Sequence, residues 1–188
     1  MRATFLAFAI AAFNQLAGIN AILYYINDIF AAAGFSKVSS DQQSILIGAT
    51  NLLFTLPALY LIDRIGRKSL LLIGSVGLFV TLVGTAMILA GGRHQDLLIW
   101  MLIGFIAAFA FSQGAVIWVY ISEIFPTEVR ARGQSIGSST HWLMNAIIAT
   151  LLPVVAAWSK GAPFVFFAAM VLIQFFVVWV FFPETMAA

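Results

Sequence analysis

Ser69–Ala90 reads SLLLIGSVGLFVTLVGTAMILA, a run without one charged side chain. It meets the requirement of about 20 apolar residues for crossing the hydrocarbon core of a bilayer as a helix. Its flanks are short and polar: Asp63-Arg64-Ile65-Gly66-Arg67-Lys68 on one side, Gly91-Gly92-Arg93-His94-Gln95-Asp96 on the other. Beyond each flank the pattern repeats. Ala3–Asn27, Gln42–Ile62, Leu97–Ser122, Gly133–Ser159 and Gly161–Pro183 are five further uncharged stretches. With no water in the hydrocarbon, each backbone amide must be paired within its own segment, and the runs are too long for barrel strands. The expected fold is all-α: a polytopic membrane protein with a bundle of six transmembrane helices. We place the spans at about 3–30, 42–62, 69–90, 97–122, 133–158 and 162–182 of a single membrane domain, 1–188.

Composition agrees, since 63% hydrophobic against 9% charged residues leaves too few charges to clothe a soluble domain of 188 residues. The formal charge of +2 rests on nine basic residues confined to loops, which argues against nucleic acid. The absence of cysteine removes disulfides and thiolate metal sites. The first stretch is longer and more aromatic than a cleavable signal core, and we read it as a retained span. Arg2, Arg64, Arg67, Lys68, Arg130 and Arg132 fall at one end of the alternating spans, and Lys37, Arg93 and Lys160 at the other. That asymmetry places both termini in the cytoplasm. Ala33 to Asp41 reads as an exposed turn in which Ser39, Ser40 and Asp41 are placed to cap the second span.

Function is sought in the polar exceptions. Span one carries Asn14-Gln15-Leu16-Ala17-Gly18-Ile19-Asn20, then Tyr24 and Tyr25. Amides at membrane depth are costly unless they meet partners or a wet cavity, and they tend to mark a substrate pathway. A straight helix would set Gln15 and Asn20 about 140° apart, so both face one cavity only if the helix bends, and Gly18 lies between them. In span two Ser44, Gly48, Asn51 and Thr55 share one face, with Gly48 assigned to close packing and Asn51 either to a ligand or to helix association. In span five Ser138, His141 and Asn145 share a face beside Trp142, with His141 read chiefly as a neutral hydrogen-bonding group. In span four Gln113 and Gly114 would continue the polar lining, whereas depth alone assigns Trp118 to the interfacial aromatic belt. Asp63, Arg64, Arg67 and Lys68 share a compartment with Glu123, Glu128, Arg130 and Arg132, so ion pairs between the two turns are geometrically reasonable. No nucleophile, acid-base or metal-ligand constellation is visible, so no enzyme activity, cofactor or metal is expected.

Four motifs in this order make the whole chain resemble the second six-helix half of the sugar porter family of the major facilitator superfamily. Asn14-Gln15-Leu16-Ala17-Gly18-Ile19-Asn20-Ala21 with Tyr24-Tyr25 resembles the family's Gln-Gln-Leu-Ser-Gly-Ile-Asn-Ala stretch. Asp63-Arg64-Ile65-Gly66-Arg67-Lys68 resembles its Asp-Arg-x-Gly-Arg-Arg/Lys turn. Glu123-Ile124-Phe125-Pro126 with Arg130 and Arg132-Gly133 is similar to the inner loop after its tenth helix, and Phe182-Pro183-Glu184-Thr185 to its Pro-Glu-Thr ending.

The resemblance implies transport of a hexose or pentose by alternating access, with this chain supplying the C-terminal half of the cavity. It implies that Gln15, Asn20, Asn51, Trp118 and Asn145 contact the sugar; with Asn14, Tyr24 and His141 they form the candidate substrate-binding set. It implies an inner gate of Asp63, Arg64, Arg67, Glu123 and Arg130. The partners implied are a sugar, the lipid of a plasma or inner membrane, and a second six-helix half, either a separate N-terminal half or a second copy. Three departures stand out: Asn14 for the first Gln, His141 where relatives often carry Asn or Gln, and Gly114-Ala115-Val116-Ile117-Trp118 without the prolines of Gly-Pro-x-Pro-Trp. The alternatives are a non-transporting membrane scaffold or sensor and an inactive truncated half-transporter.

Overall fold

Residues 2–185 are described by the computed structural model, the side chains of residues 37–40 excepted. The capping expected of Ser39 and Ser40 therefore lies outside the described side chains. Asp41 lies inside helix α4 (Lys37–Ile65), where its carboxylate accepts a hydrogen bond from Asn27 Nδ2 at 3.1 Å. The chain is 89% helical, with no strand among the described residues, and six segments are long and apolar enough to span a membrane.

Span one is broken twice. Helix α1 (Arg2–Leu16) stops two residues before Gly18, whose φ of +89° belongs to the left-handed region that side chains avoid. Helix α2 (Ile19–Tyr24) then runs to Tyr25, where φ −107° and ψ 21° interrupt it again before α3 (Ile26–Ala32). Gly18 also fits the packing, because a Cβ there would overlap the ring of Phe167. Helix α4 and helix α5 (Arg67–Gly91) are joined by Gly66 alone, with φ +91°. Span four is α6 (Leu98–Phe109), a wide π-helical turn over Ala110–Gly114, and α7 (Ala115–Ile124). Spans five and six are α8 (Arg130–Trp158) and α9 (Ala162–Phe181).

Lipid tails are as apolar as leucine, so association of these helices rests on close packing and interhelical hydrogen bonds. Helix α5 packs against α6 and α9, and α1 packs along α8. Two apolar clusters result. One surrounds Ile22, Phe30, Leu78, Phe105 and Val171; the other gathers Leu6, Leu70, Val116, Tyr120 and Phe182 toward the end that carries Arg67. Tyr120 stacks on Phe182 at 5.1 Å and donates its hydroxyl hydrogen to the Pro183 carbonyl. Span one is central: 72% of an 18-residue apolar stretch of it is buried, against 22% of the corresponding stretch in span two and 11% in span five. Among the described residues nothing fills the packing role expected of Gly48: a Cβ there would meet no atom within 4 Å.

Candidate functional site

A cavity of about 340 Å³ opens between span one and spans two, four and five. That is within the range of small-molecule sites, about 300–1,000 Å³. Asn14, Gln15, Asn20, Asn51, Trp118 and His141 line it, together with Thr55, Trp142, Gly114 and the apolar Ile19, Leu23, Phe109 and Ile117. The break at Gly18 is what brings the span-one amides together. Asn20 Nδ2 donates to Gln15 Oε1 at 3.2 Å, and Gln15 Nε2 donates to Asn14 Oδ1 at 3.0 Å. The same Gln15 nitrogen lies 3.2 and 3.3 Å from the two ring nitrogens of His141. An amide N–H has no lone pair, so this contact needs an unprotonated ring nitrogen to accept it, which fits a neutral imidazole.

The chain Asn20–Gln15–Asn14 fixes the three amides without exhausting them. Asn20 Oδ1 and Asn14 Nδ2 make no hydrogen bond among the described residues, which leaves an acceptor and a donor at the cavity. On α4, Thr55 donates its hydroxyl hydrogen to the Asn51 backbone carbonyl at 2.7 Å, one helical turn back. The Trp118 and His141 rings lie 5.3 Å apart and tilted, and Trp142 meets His141 edge-on at 5.3 Å.

Tyr24 and Asn145 stand apart from this lining as a bonded pair: Asn145 Nδ2 donates to the Tyr24 hydroxyl at 3.2 Å. Asn145 lies one turn along α8 from His141 and is 7% exposed, and its Oδ1 is buried without a partner. An unmet buried acceptor costs about 1–3 kcal/mol.

Gln113 is the residue that departs most from expectation. Instead of lining the cavity it is 2% exposed and donates to Gln174 Oε1 of α9 at 2.8 Å, and Gln174 Nε2 in turn donates to Ser75 Oγ of α5 at 3.3 Å. Ser138 is likewise absent from the lining. Phe109, Ile117 and Leu23, which do line it, carry no polar signal in the sequence and were not singled out.

At the end of the bundle that carries Arg67, its guanidinium grips Glu123 through two bonds, Nη2 to Oε1 at 2.6 Å and Nε to Oε2 at 3.1 Å. It also pairs with Asp63 at 2.9 Å and donates Nη1 to the Ile62 carbonyl at 3.0 Å. The backbone N–H groups of Arg67 and Lys68, at the start of α5, donate to the two oxygens of Glu184 at 2.8 and 3.1 Å. A carboxylate there meets the positive end of the helix dipole. Thr185 donates its hydroxyl hydrogen to Glu123, so the C-terminal segment closes the same cluster. Arg64 stands outside it, 4.4 Å above the Tyr60 ring, and Arg130 forms no ion pair among the described residues. The capping role of Glu184 was not foreseen.

The model of the family described as "Sugar (and other) transporter" matches residues 1–188. The arabinose-proton symporter of Bacillus subtilis (strain 168) is 35% identical over 98% of this chain and 40% of its own length. The D-xylose-proton symporter of Escherichia coli (strain K12) is 34% identical over 92% of this chain and 37% of its own length. Among solved structures, the proton:xylose symporter XylE bound to 6-bromo-6-deoxy-D-glucose superimposes with a TM-score of 0.88 at 30% identity, covering 97% of this chain and 40% of that one. The inward open conformation of the xylose transporter XylE from E. coli gives 0.87 at 28% identity, over 98% and 40%. The chain thus spans about 40% of the length of the curated relatives it matches.

Proposed function

Since the chain belongs to the Sugar (and other) transporter family, we propose that it forms the C-terminal half of the substrate cavity of a sugar transporter that works by alternating access. Residues 1–188 act as one multi-pass domain of a plasma or inner membrane, with both termini cytoplasmic. The observation that carries this reading is the meeting of Asn14, Gln15, Asn20, Asn51, Trp118 and His141 around one cavity with amide groups still unspent.

A hexose or pentose presents adjacent hydroxyls that each donate and accept. Carboxamides match this because each offers both functions at one carbon, with no charge to desolvate. The Trp118 indole supplies a flat apolar face for the C–H side of the sugar ring. Asn145 Oδ1, covered and unpaired in this arrangement, takes a sugar hydroxyl as its missing partner in an arrangement of the transport cycle that opens this point to the cavity, and His141 contributes as a neutral group through Gln15. No covalent step is involved.

The exposed spans two and five carry the open side of the cavity, so a second six-helix half, as a separate N-terminal half or a second copy, covers them. The cluster of Arg67, Glu123 and Asp63 serves as the inner gate, a set of ion pairs that holds one of two arrangements. The test is equilibrium binding of hexoses and pentoses to the reconstituted assembly before and after Asn51→Ala together with Asn145→Ala. The loss of two amides at about 1–1.5 kcal/mol each predicts a fall in affinity of order one hundredfold. Unchanged binding refutes the site.

A further inference from the structure

The buried chain Gln113–Gln174–Ser75 lies outside the cavity, yet it sits on the one turn that decides which residues of span four face the cavity. The cavity-facing residues there are Phe109, Gly114, Ile117 and Trp118. Phe109 and Gly114 are five residues apart, the repeat of a π-turn and not of an α-helix, and Gly114 packs directly over Phe109, 3.4 Å from a built Cβ to the Phe109 carbonyl.

At 100° per residue an uninterrupted α-helix would place Gln113 about 40° from Phe109, looking into the cavity, and Trp118 about 180° from it, looking away. The extra residue of the wide turn sets everything after it back by about 100°. Gln113 is thereby turned from the cavity toward α9, and Trp118 is brought to about 80° from Phe109, into the lining.

What keeps the wide turn in place is polar pairing in a dry interior. Gln113 and Gln174 are 2% and 3% exposed, and Gln174 spends its carbonyl on Gln113 and its amide on Ser75, which is 1% exposed. Were the segment to close into a regular helix, Gln113 would find water in the cavity, but the Gln174 carbonyl would be left unpaired among hydrocarbon. On the other flank Ser112, bonded to the Ala108 carbonyl at 2.6 Å, fills the space that a Cβ on Gly74 would take.

We infer that Gln174, acting through Gln113, is a positioning residue that holds the wide turn of span four and thereby sets Trp118 into the cavity; its bearing on sugar recognition rests on the function proposed above. The chain contains no cysteine, so single thiols report cleanly. The test measures the reaction rate of a water-soluble, charged thiol reagent at Trp118→Cys and, as a cavity reference, at Asn51→Cys in the whole chain. Each is read with and without Gln174→Leu. Ser75→Ala, which removes the acceptor for Gln174 together with the serine's own bond to the Leu71 carbonyl and leaves a good helix former, is measured beside it.

Loss of the buried bond shifts the balance between the two turns by about tenfold, and the rate at position 118 falls by up to that factor while that at 51 stays unchanged. That selective fall in either variant supports the assignment. Unchanged rates at 118, or equal changes at 51 and 118 in both variants, overturn it. Neither rate depends on sugar, so a parent chain that fails to bind hexose or pentose would remove the proposed function and leave the thiol result standing.

Discussion

Gly18→Ala tests the broken first span, on which the geometry of the amides depends. Two penalties add. An alanine held at φ +89° is in the left-handed region, at about 1–2 kcal/mol. Its Cβ also overlaps the Phe167 ring, which is 2% exposed and confined by the core, for about 1–3 kcal/mol more. The variant is therefore expected to lose about 2–5 kcal/mol, or to straighten span one and separate Gln15 from Asn20 by about 140°, breaking their 3.2 Å bond.

Unfolding in detergent micelles, followed by circular dichroism, measures the loss. Gly48→Ala is the control, because that position is helical and open, and alanine there should stabilise by about 0.5–1 kcal/mol. Adding Phe167→Ala to Gly18→Ala separates the two terms within the pair, since the backbone penalty survives removal of the ring. A Gly18→Ala protein as stable as the parent, with unaltered access to the cavity, would refute the reasoning.

Arg67→Ala leaves Glu123 facing a partly buried void and should destabilise by about 3 kcal/mol, the low end for a broken ion pair because Glu123 keeps some water. Arg67→Lys should recover only part of this in the same unfolding assay, since an ammonium cannot reproduce the two-pronged contact. Glu184→Ala removes the acceptor for two backbone N–H groups at the start of α5 and should cost about 1 kcal/mol, with faster amide hydrogen exchange at Arg67 and Lys68.

The six spans were legible because membrane crossing writes itself into composition, as the charge-free run Ser69–Ala90 and its two polar flanks illustrate. The break at Gly18 was legible for a different reason: polar residues on both sides of a glycine required a bend to share a face. Gly48 shows the limit of such inference. A small residue permits close approach but does not say whether a neighbour arrives, and none of the described residues meets α4 at that point.

Gln113 was misplaced because a π-turn changes register without a compositional mark; the partner that fixes it, Gln174, is 61 residues away. Trp118 is affected by the same turn, for depth alone favoured the aromatic belt whereas the structure sets it in the cavity lining. Glu184 meets the Arg67 backbone across 117 residues, and Asn145 meets Tyr24 across 121, contacts that only the assembled bundle creates.

The most direct test of the account is a sugar titration of the reconstituted chain in which Trp100, Trp142, Trp158 and Trp179 are replaced by Phe, leaving the emission of Trp118 alone. The account predicts a saturable shift with hexose or pentose, abolished by Asn51→Ala. An isolated half meets only part of the hydroxyls, so the expected affinity is in the millimolar range, about −4 kcal/mol. A flat response at every sugar concentration, or one that survives Asn51→Ala unchanged, would contradict it.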